Sequence, residues 1–251
     1  MKRFLGAALA TVFLAGLCSS VRADDQAAKA ILDKGIKALG GEEKLSKADA
    51  ITWKAKGKIT FNDNANEFNS QTTVQGLDHY RGEFEGDFNG NKFMGVTVLN
   101  GDKGWRKFGD NNMEMDAEAV ANEKRNIYLQ LAPTTLVRLK GKGFQIETAG
   151  EETVGGSPAV GLKVTAPDGK DFTIYFDKES GLPVKQVAKV TGFMGEEFKQ
   201  ENFFSNYKDF NGIKKATKLE IKRDGEKFID EEITDFKVLD KVDPDTFSAP
   251  K

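Results

Sequence analysis

Thiol and imidazole chemistry is almost missing from this chain: its 251 residues include one cysteine, Cys18, and one histidine, His79. A single histidine excludes the two-histidine zinc motif and any histidine-rich metal site. A Ser-His-Asp triad would have to recruit His79, which falls among charged neighbours on the polar face of a strand. No serine stands in a nucleophile-elbow context either. Cys18 lies in an N-terminal segment expected to be removed, which leaves no thiol for catalysis, metal ligation or a disulfide. Gly141-Lys142-Gly143 begins like a dinucleotide fingerprint, but Ile146 occupies the third glycine position and no βαβ unit surrounds it. Asn62-Asp63-Asn64 and Asp243-Pro244-Asp245 lack the acidic spacing of a calcium loop and read as turns. No metal and no cofactor is expected.

A surplus of positive charge is also lacking. The formal charge is −2, and beyond residue 23 there are 34 basic against 39 acidic residues, a formal −5. Nucleic acid and anionic membrane surfaces select for basic faces, so neither is expected as the main partner. The one long apolar run is Phe4 to Leu17, preceded by Lys2 and Arg3 and followed by Val21-Arg22-Ala23. This pattern predicts a signal peptide over residues 1–23 with cleavage after Ala23, and a periplasmic or secreted mature protein. Lipid attachment at Cys18 is disfavoured, because Leu17 stands where such signals need a small residue. Residues 24–251 are expected to form a single domain, monomeric and held by its core alone.

What the chain does hold is strands and turns. Asp25 to Leu39 reads as a one-sided helix, with Ala28, Ile31, Leu32, Ile36 and Leu39 at three- and four-residue spacing and Gly40-Gly41 as its end. A first strand is expected at Ile51 to Phe61, then three or four more to Trp105. In HYRGEFEGDF, Tyr80, Phe84 and Phe88 share one face with Gly82 and Gly86. His79, Arg81, Glu83, Glu85 and Asp87 share the other. Those carboxylates point to water rather than converging as a catalytic pair. Glycines inside strands fit a sheet that bends. Asp116 to Leu131 reads as a helix capped by Asp116 and stopped by Pro133, with one more helical turn at Thr134 to Leu139. From Gly143 onward, runs of Phe, Ile, Val and Thr alternate with DKESGLP, GFMGEE, DFNG and KRDGEK, each a reversal signal. The fold class is α+β and mainly β. A curved antiparallel sheet is expected to form an incomplete barrel, covered by the N-terminal helix and the central helical segment.

Longer stretches carry a likeness. The run VGGSPAVGLKVTAPDGKDFTIYFDKESGLPVKQ, with FSNYKDFNGIKKATKLEI, VDPDTFSAP, HYRGEFEG, NGDKGWRKF and AKAILDKGIKALGGEEKL, resembles the outer-membrane lipoprotein-sorting proteins of LolA/LolB-like fold. The resemblance implies an apolar cavity inside a half-barrel and a lipid or acylated, lipoprotein-like ligand. It also implies transient contact with envelope membranes or proteins. Seventeen of the 19 phenylalanines lie beyond residue 23, against four tyrosines and two tryptophans, which suits an apolar lining. Expected lining residues are Tyr80, Phe84, Phe88, Val96, Val98, Phe172, Ile174, Phe176, Leu219 and Ile221. The family likeness further implies that Arg81 latches the helical cover, although alternation sets it opposite Tyr80 and Phe84. Trp105 is expected to anchor a hairpin core. The chain is longer than the authentic carrier and differs in its first strand, which places it among broad relatives. Binding without catalysis is the expected activity. The alternative is a filled barrel acting as an envelope scaffold or interaction module.

Overall fold

Two meanders share one sheet. The computed structural model describes residues 17–61, 64–88, 90–192 and 195–251, with side chains from Asp25 onward. The leader expected over residues 1–23 lies mostly outside them. One arm comprises β1 (Ala50–Phe61), β2 (Asn64–Gln75), β3 (His79–Phe88), β4 (Asn91–Asn100), β5 (Lys103–Phe108) and β6 (Asn111–Glu114). The other comprises β7 (Gln145–Val154), β8 (Ser157–Thr165), β9 (Asp171–Asp177), β10 (Pro183–Thr191), β11 (Glu197–Phe210), β12 (Ile213–Arg223) and β13 (Glu226–Leu239). Every neighbouring pair is antiparallel, and the arms join where β1 pairs with β13, from Ala50 opposite Leu239 to Ile59 opposite Ile229. The order runs from β6 to β1 and then from β13 to β7, so the curved sheet ends at two edges and the barrel stays open. The expected incomplete barrel is what the chain forms, with β6 as a strand that the sequence reading did not foresee.

The curvature has local causes. The ladders shift register at Lys54/Ala55, at Thr148/Glu151 and at Ile221/Lys222. Each extra residue kinks its strand and increases the right-handed twist, which curls a wide antiparallel sheet toward closure.

The helices lie inside the curl. α1 (Leu17–Leu39) begins earlier than the sequence reading placed it, and it buries Ala28, Leu32, Ile36 and Leu39. It rests on β7, β8 and β12. At Gly35 a Cβ would come within 2.7 Å of both Leu136 Cδ1 and Phe176 Cε1, so only glycine allows the helix this close to the sheet. Gly40 ends the helix at φ 137°, with the Gly212 carbonyl where a side chain would start. A short α2 (Glu42–Lys47) follows. The central helix α3 (Ala117–Leu131) has the expected cap: Asp116 accepts a hydrogen bond from the Ala119 N–H at 2.8 Å. A 3-10 turn, Leu136–Lys140, continues from it.

The two arms are filled differently. Phe172, Ile174, Phe176, Leu162 and Val164 of β8 and β9 are buried in one cluster with Leu32, Ile127, Leu131 and Leu136. Truncating Phe176 to alanine is expected to cost about 3–5 kcal/mol, measured as a lowered urea midpoint at unchanged slope. A loss under about 1 kcal/mol would mean that this arm is not tightly packed. The outer face of the first arm is covered instead by the C-terminal segment. Phe247 in the 3-10 turn Pro244–Phe247 is buried and meets the His79 ring at 5.4 Å. Asn112 Nδ2 donates to the Pro250 carbonyl at 2.6 Å, and Lys107 Nζ to that of Lys251.

Candidate functional site

Where α3 passes over the first arm, packing is incomplete. A cavity of about 420 Å³ separates the helix from the inner faces of β1–β5 and β11–β13. Alternation chooses its walls. Tyr80, Gly82 and Phe84 of β3 pair with Leu99, Thr97 and Gly95 of β4, so all six side-chain positions point inward. The two glycines let rings lie flat on the sheet: a Cβ at Gly82 would run into the Tyr80 hydroxyl, and one at Gly95 would come within 3.2 Å of Phe108 Cε1.

The outer end of this cavity is a wall of phenylalanines. Phe68 stacks on Phe84 at 5.3 Å, and Phe84, Phe88, Phe93 and Phe108 follow at successive centroid separations of 6.3, 6.0 and 5.5 Å. Phe61 links Phe88 at 6.0 Å to Phe228 at 5.7 Å. Rings in such tilted and edge-on contacts form a firm apolar surface. Phe61 and Phe93 remain 47% and 40% exposed, so the surface reaches the solvent. The Arg223 guanidinium lies 3.9 Å over Phe228 and 5.0 Å over Phe198, and burial holds its pKa below the usual arginine value.

The inner end, beneath α3, is polar. Lys215 is buried, its Nζ donates to Thr134 Oγ1 at 2.6 Å, and it lies 5.6 Å over the Trp53 ring. Burial lowers its pKa from 10.5 to about 8. Glu231 lines the same cavity from β13, and burial raises its carboxyl to about 7, with the Lys215 charge opposing that rise. The Tyr80 hydroxyl, shared with Thr72 and Gln130, is pushed well above the usual phenol range by burial and by Glu123. From the outer end a ladder of side chains runs across β12, β11 and β10: Arg223 Nε donates to Gln200 Oε1 at 3.2 Å, Gln200 Nε2 to Asn202 Oδ1 at 3.1 Å, and Asn202 Nδ2 to Gln186 Oε1 at 3.0 Å.

Charged side chains of α3 tie it to both arms. Glu123 meets Arg106 of β5 at 3.1 Å, and Lys124 meets Asp102 of the β4–β5 turn at 2.6 Å. Burial raises the Glu123 pKa even though Arg106 opposes it. On the other side, Arg125 donates to the Lys170 carbonyl at 3.2 Å and to that of Asp171 at 2.5 Å, and faces Asp168 at 3.7 Å.

The residues singled out from the sequence fall into four places. Tyr80, Phe84, Leu219 and Ile221 line the cavity. Phe88 is at its outer end, in contact with Phe84 and Phe93. Phe172, Ile174 and Phe176 share the interior but are packed beneath α1 and α3, away from open space. Val96 and Val98 are on the opposite face, because they pair with Glu83 and Arg81. Val98 is buried there in the region covered by the C-terminal segment. Arg81 is also outside: its Nε donates to Glu83 Oε1 at 2.7 Å and its Nη1 to the Thr246 carbonyl at 3.5 Å. These contacts are with its own strand and the C-terminal segment, not with α3. Trp105, opposite Val98, belongs to that outer face as well.

Lys215 and Glu231 were not anticipated. Their signal was present in the alternation: Ile213, Lys215, Thr217, Leu219 and Ile221 occupy one set of alternate positions, and Ile229, Glu231 and Ile233 another. A charged residue on an apolar stripe is the mark of a buried charge.

No family model and no curated protein matches the chain. Solved structures do resemble it. A LolA superfamily protein from Nitrosomonas europaea aligns with TM-score 0.58 and 10% identity, over 88% of this chain and 97% of that one. A DUF1329 family protein from Desulfovibrio piger gives 0.55 and 14%, over 88% and 97%. A putative outer membrane lipoprotein-sorting protein domain from Vibrio parahaemolyticus gives 0.52 and 10%, over 86% and 97%. At these identities the likeness is one of fold: the chain has the LolA-like fold.

Proposed function

We propose that this protein is an exported envelope binding protein that holds the acyl chain of a lipid or acylated ligand, such as a lipoprotein, in the cavity under α3. The observation that carries this reading is the open space of about 420 Å³ between α3 and the phenylalanine-lined sheet. Its size falls within the roughly 300–1,000 Å³ of small-molecule sites, and its apolar end reaches solvent where a chain can enter. Removing an acyl chain from water is worth about 0.8 kcal/mol per methylene before ordering costs, so an apolar wall suffices and no catalytic group is required. The Lys2-Arg3 start and the following apolar run support export. Fold relatives that include a putative lipoprotein-sorting domain agree with an envelope role.

The filled-barrel alternative draws on the second arm, where Phe172, Ile174 and Phe176 are packed. It requires the first arm to be filled as well. Titration of the purified protein with a fluorescent fatty acid separates the two readings. Saturable binding of one probe per chain at micromolar concentration is expected, and a linear, non-saturating response would favour the scaffold.

A further inference from the structure

We propose that the cavity selects single-chain amphiphiles with an anionic carboxylate head, bound head-inward at Lys215 with the tail running out over Phe84 and Phe93. This rests on the acyl-binding reading above and adds the ligand's head group and orientation.

Lys215 is an incompletely satisfied buried cation. An ammonium group has three donors. Lys215 Nζ has one hydrogen-bond acceptor among the described residues, Thr134 Oγ1, and otherwise faces the Trp53 ring. Glu231 lines the same cavity but is set opposite Leu219, four residues along β12 from Lys215, and makes no ion pair with it among the described residues. Burying an ammonium group without a close counter-ion is costly, and a charge-assisted hydrogen bond from an arriving carboxylate would repay much of that cost. Gln130, one helical turn before Thr134 and bonded through its backbone carbonyl to the Thr134 hydroxyl, also lines the cavity and supplies an amide group. The opposite end is a wall of rings, with the Arg223 guanidinium stacked on two of them and engaged by Gln200. A ligand entering tail-first would place methylenes against Lys215 and its head among phenylalanines. Head-first entry matches each part of the ligand to its wall.

The titratable groups facing Lys215 set the pH behaviour. Glu231 lines the same cavity from the neighbouring strand β13, Tyr80 and Tyr207 line the same space, the Glu123–Arg106 pair lies beyond Tyr80, and Arg223 is at the outer end. As pH falls from 9 to 6.5, Lys215 gains its proton near 8 and Glu231 becomes neutral near 7. The two tyrosines stay neutral throughout, because burial raises both. The inner end thus becomes more positive, and carboxylate binding should tighten.

The test displaces a fluorescent acyl probe with dodecanoic acid and, separately, with its methyl ester. In the unmodified protein at pH 7 the acid should compete about tenfold or more better than the ester, as a charge-assisted bond predicts. The preference should grow at pH 6.5 and shrink at pH 9. Lys215→Met should abolish it while ester affinity stays within about threefold, and that retained affinity reports that the cavity is intact. Lys215→Arg should keep a preference for the acid. Equal competition by acid and ester, or a preference that survives Lys215→Met, overturns the head-group assignment and leaves the acyl-binding reading standing. Failure of both ligands to compete, together with absent probe binding, overturns both.

Discussion

Phe84→Glu should lower acyl-probe affinity by about two orders of magnitude or more while the protein still unfolds cooperatively. Phe84 lines the cavity, stacks on Phe68 at 5.3 Å and sits beside Phe88 and Phe93. A carboxylate there faces the path of the chain. Desolvating it against methylenes costs several kcal/mol, which is roughly the whole gain from burying a short tail. The fold should survive because Phe84 is only partly buried and lies toward the open end, where water can reach a new charge. The loss in stability should be about 1–3 kcal/mol. Val96→Glu serves as the comparison. Val96 is two strands from Phe68 but on the opposite face, paired with Glu83 and Lys107. That variant should bind the probe like the unmodified protein. Probe titration and urea unfolding of both variants decide the matter. Equal loss in the two would show that the effect is not one of the cavity.

The second large effect is a gain. Lys215→Met should stabilise the ligand-free protein at pH 7 by about 1–3 kcal/mol. Burial lowers the Lys215 pKa from 10.5 to about 8, a difference of about 3 kcal/mol against the charged form at most. The hydrogen bond to Thr134 and the Trp53 ring offset part of any gain, since both are lost with the ammonium group. The sign follows from where protons are held. Below pH 8 both folded and unfolded chains carry the lysine proton, so folding bears the full cost. Between about 8 and 10.5 the folded chain releases it first, and stability rises with pH. Glu231 acts in mirror image. Its carboxyl titrates at 4.5 when unfolded and at about 7 when folded, so stability falls as pH rises across that interval. Together they place a shallow stability minimum near pH 7–8. In Lys215→Met the alkaline rise should vanish, as measured by urea unfolding at pH 7 and 9.5. A destabilised variant with the rise intact would contradict a costly buried lysine. A residue that weakens the empty fold yet completes a binding site is the expected compromise between stability and function.

How much of this could be read beforehand depends on which force placed each residue. Strict alternation in β3 gave the inward set Tyr80, Phe84 and Phe88, because one face meets the interior and the other meets water. The same rule failed for β4, where both faces are apolar. Val96 and Val98 look like core beside Gly95 and Thr97, yet the inward positions are Phe93, Gly95, Thr97 and Leu99. The C-terminal segment that covers the outer face is more than 140 residues away in the chain, so no local pattern announces it. Phe172, Ile174 and Phe176 were read on the correct face, but α1 fills the space above them, helped by Gly35. The ties of α3 were hidden for a helical reason. Glu123, Lys124 and Arg125 are adjacent in sequence and point about 100° apart, so they reach three different partners. Lys215 and Glu231 were legible in principle, since each interrupts an apolar stripe.

The central claim is that an acyl chain occupies the space under α3, and methyl NMR with dodecanoic acid tests it most directly. Saturable shifts are expected for methyl groups of Leu129, Leu219, Ile221, Ile229 and Ile233, all of which line the cavity. Ile174 in the packed arm, and Val96 and Val98 on the outer face, should stay unmoved. Shifts concentrated at Val96 and Val98, or none anywhere at saturating ligand, would contradict it.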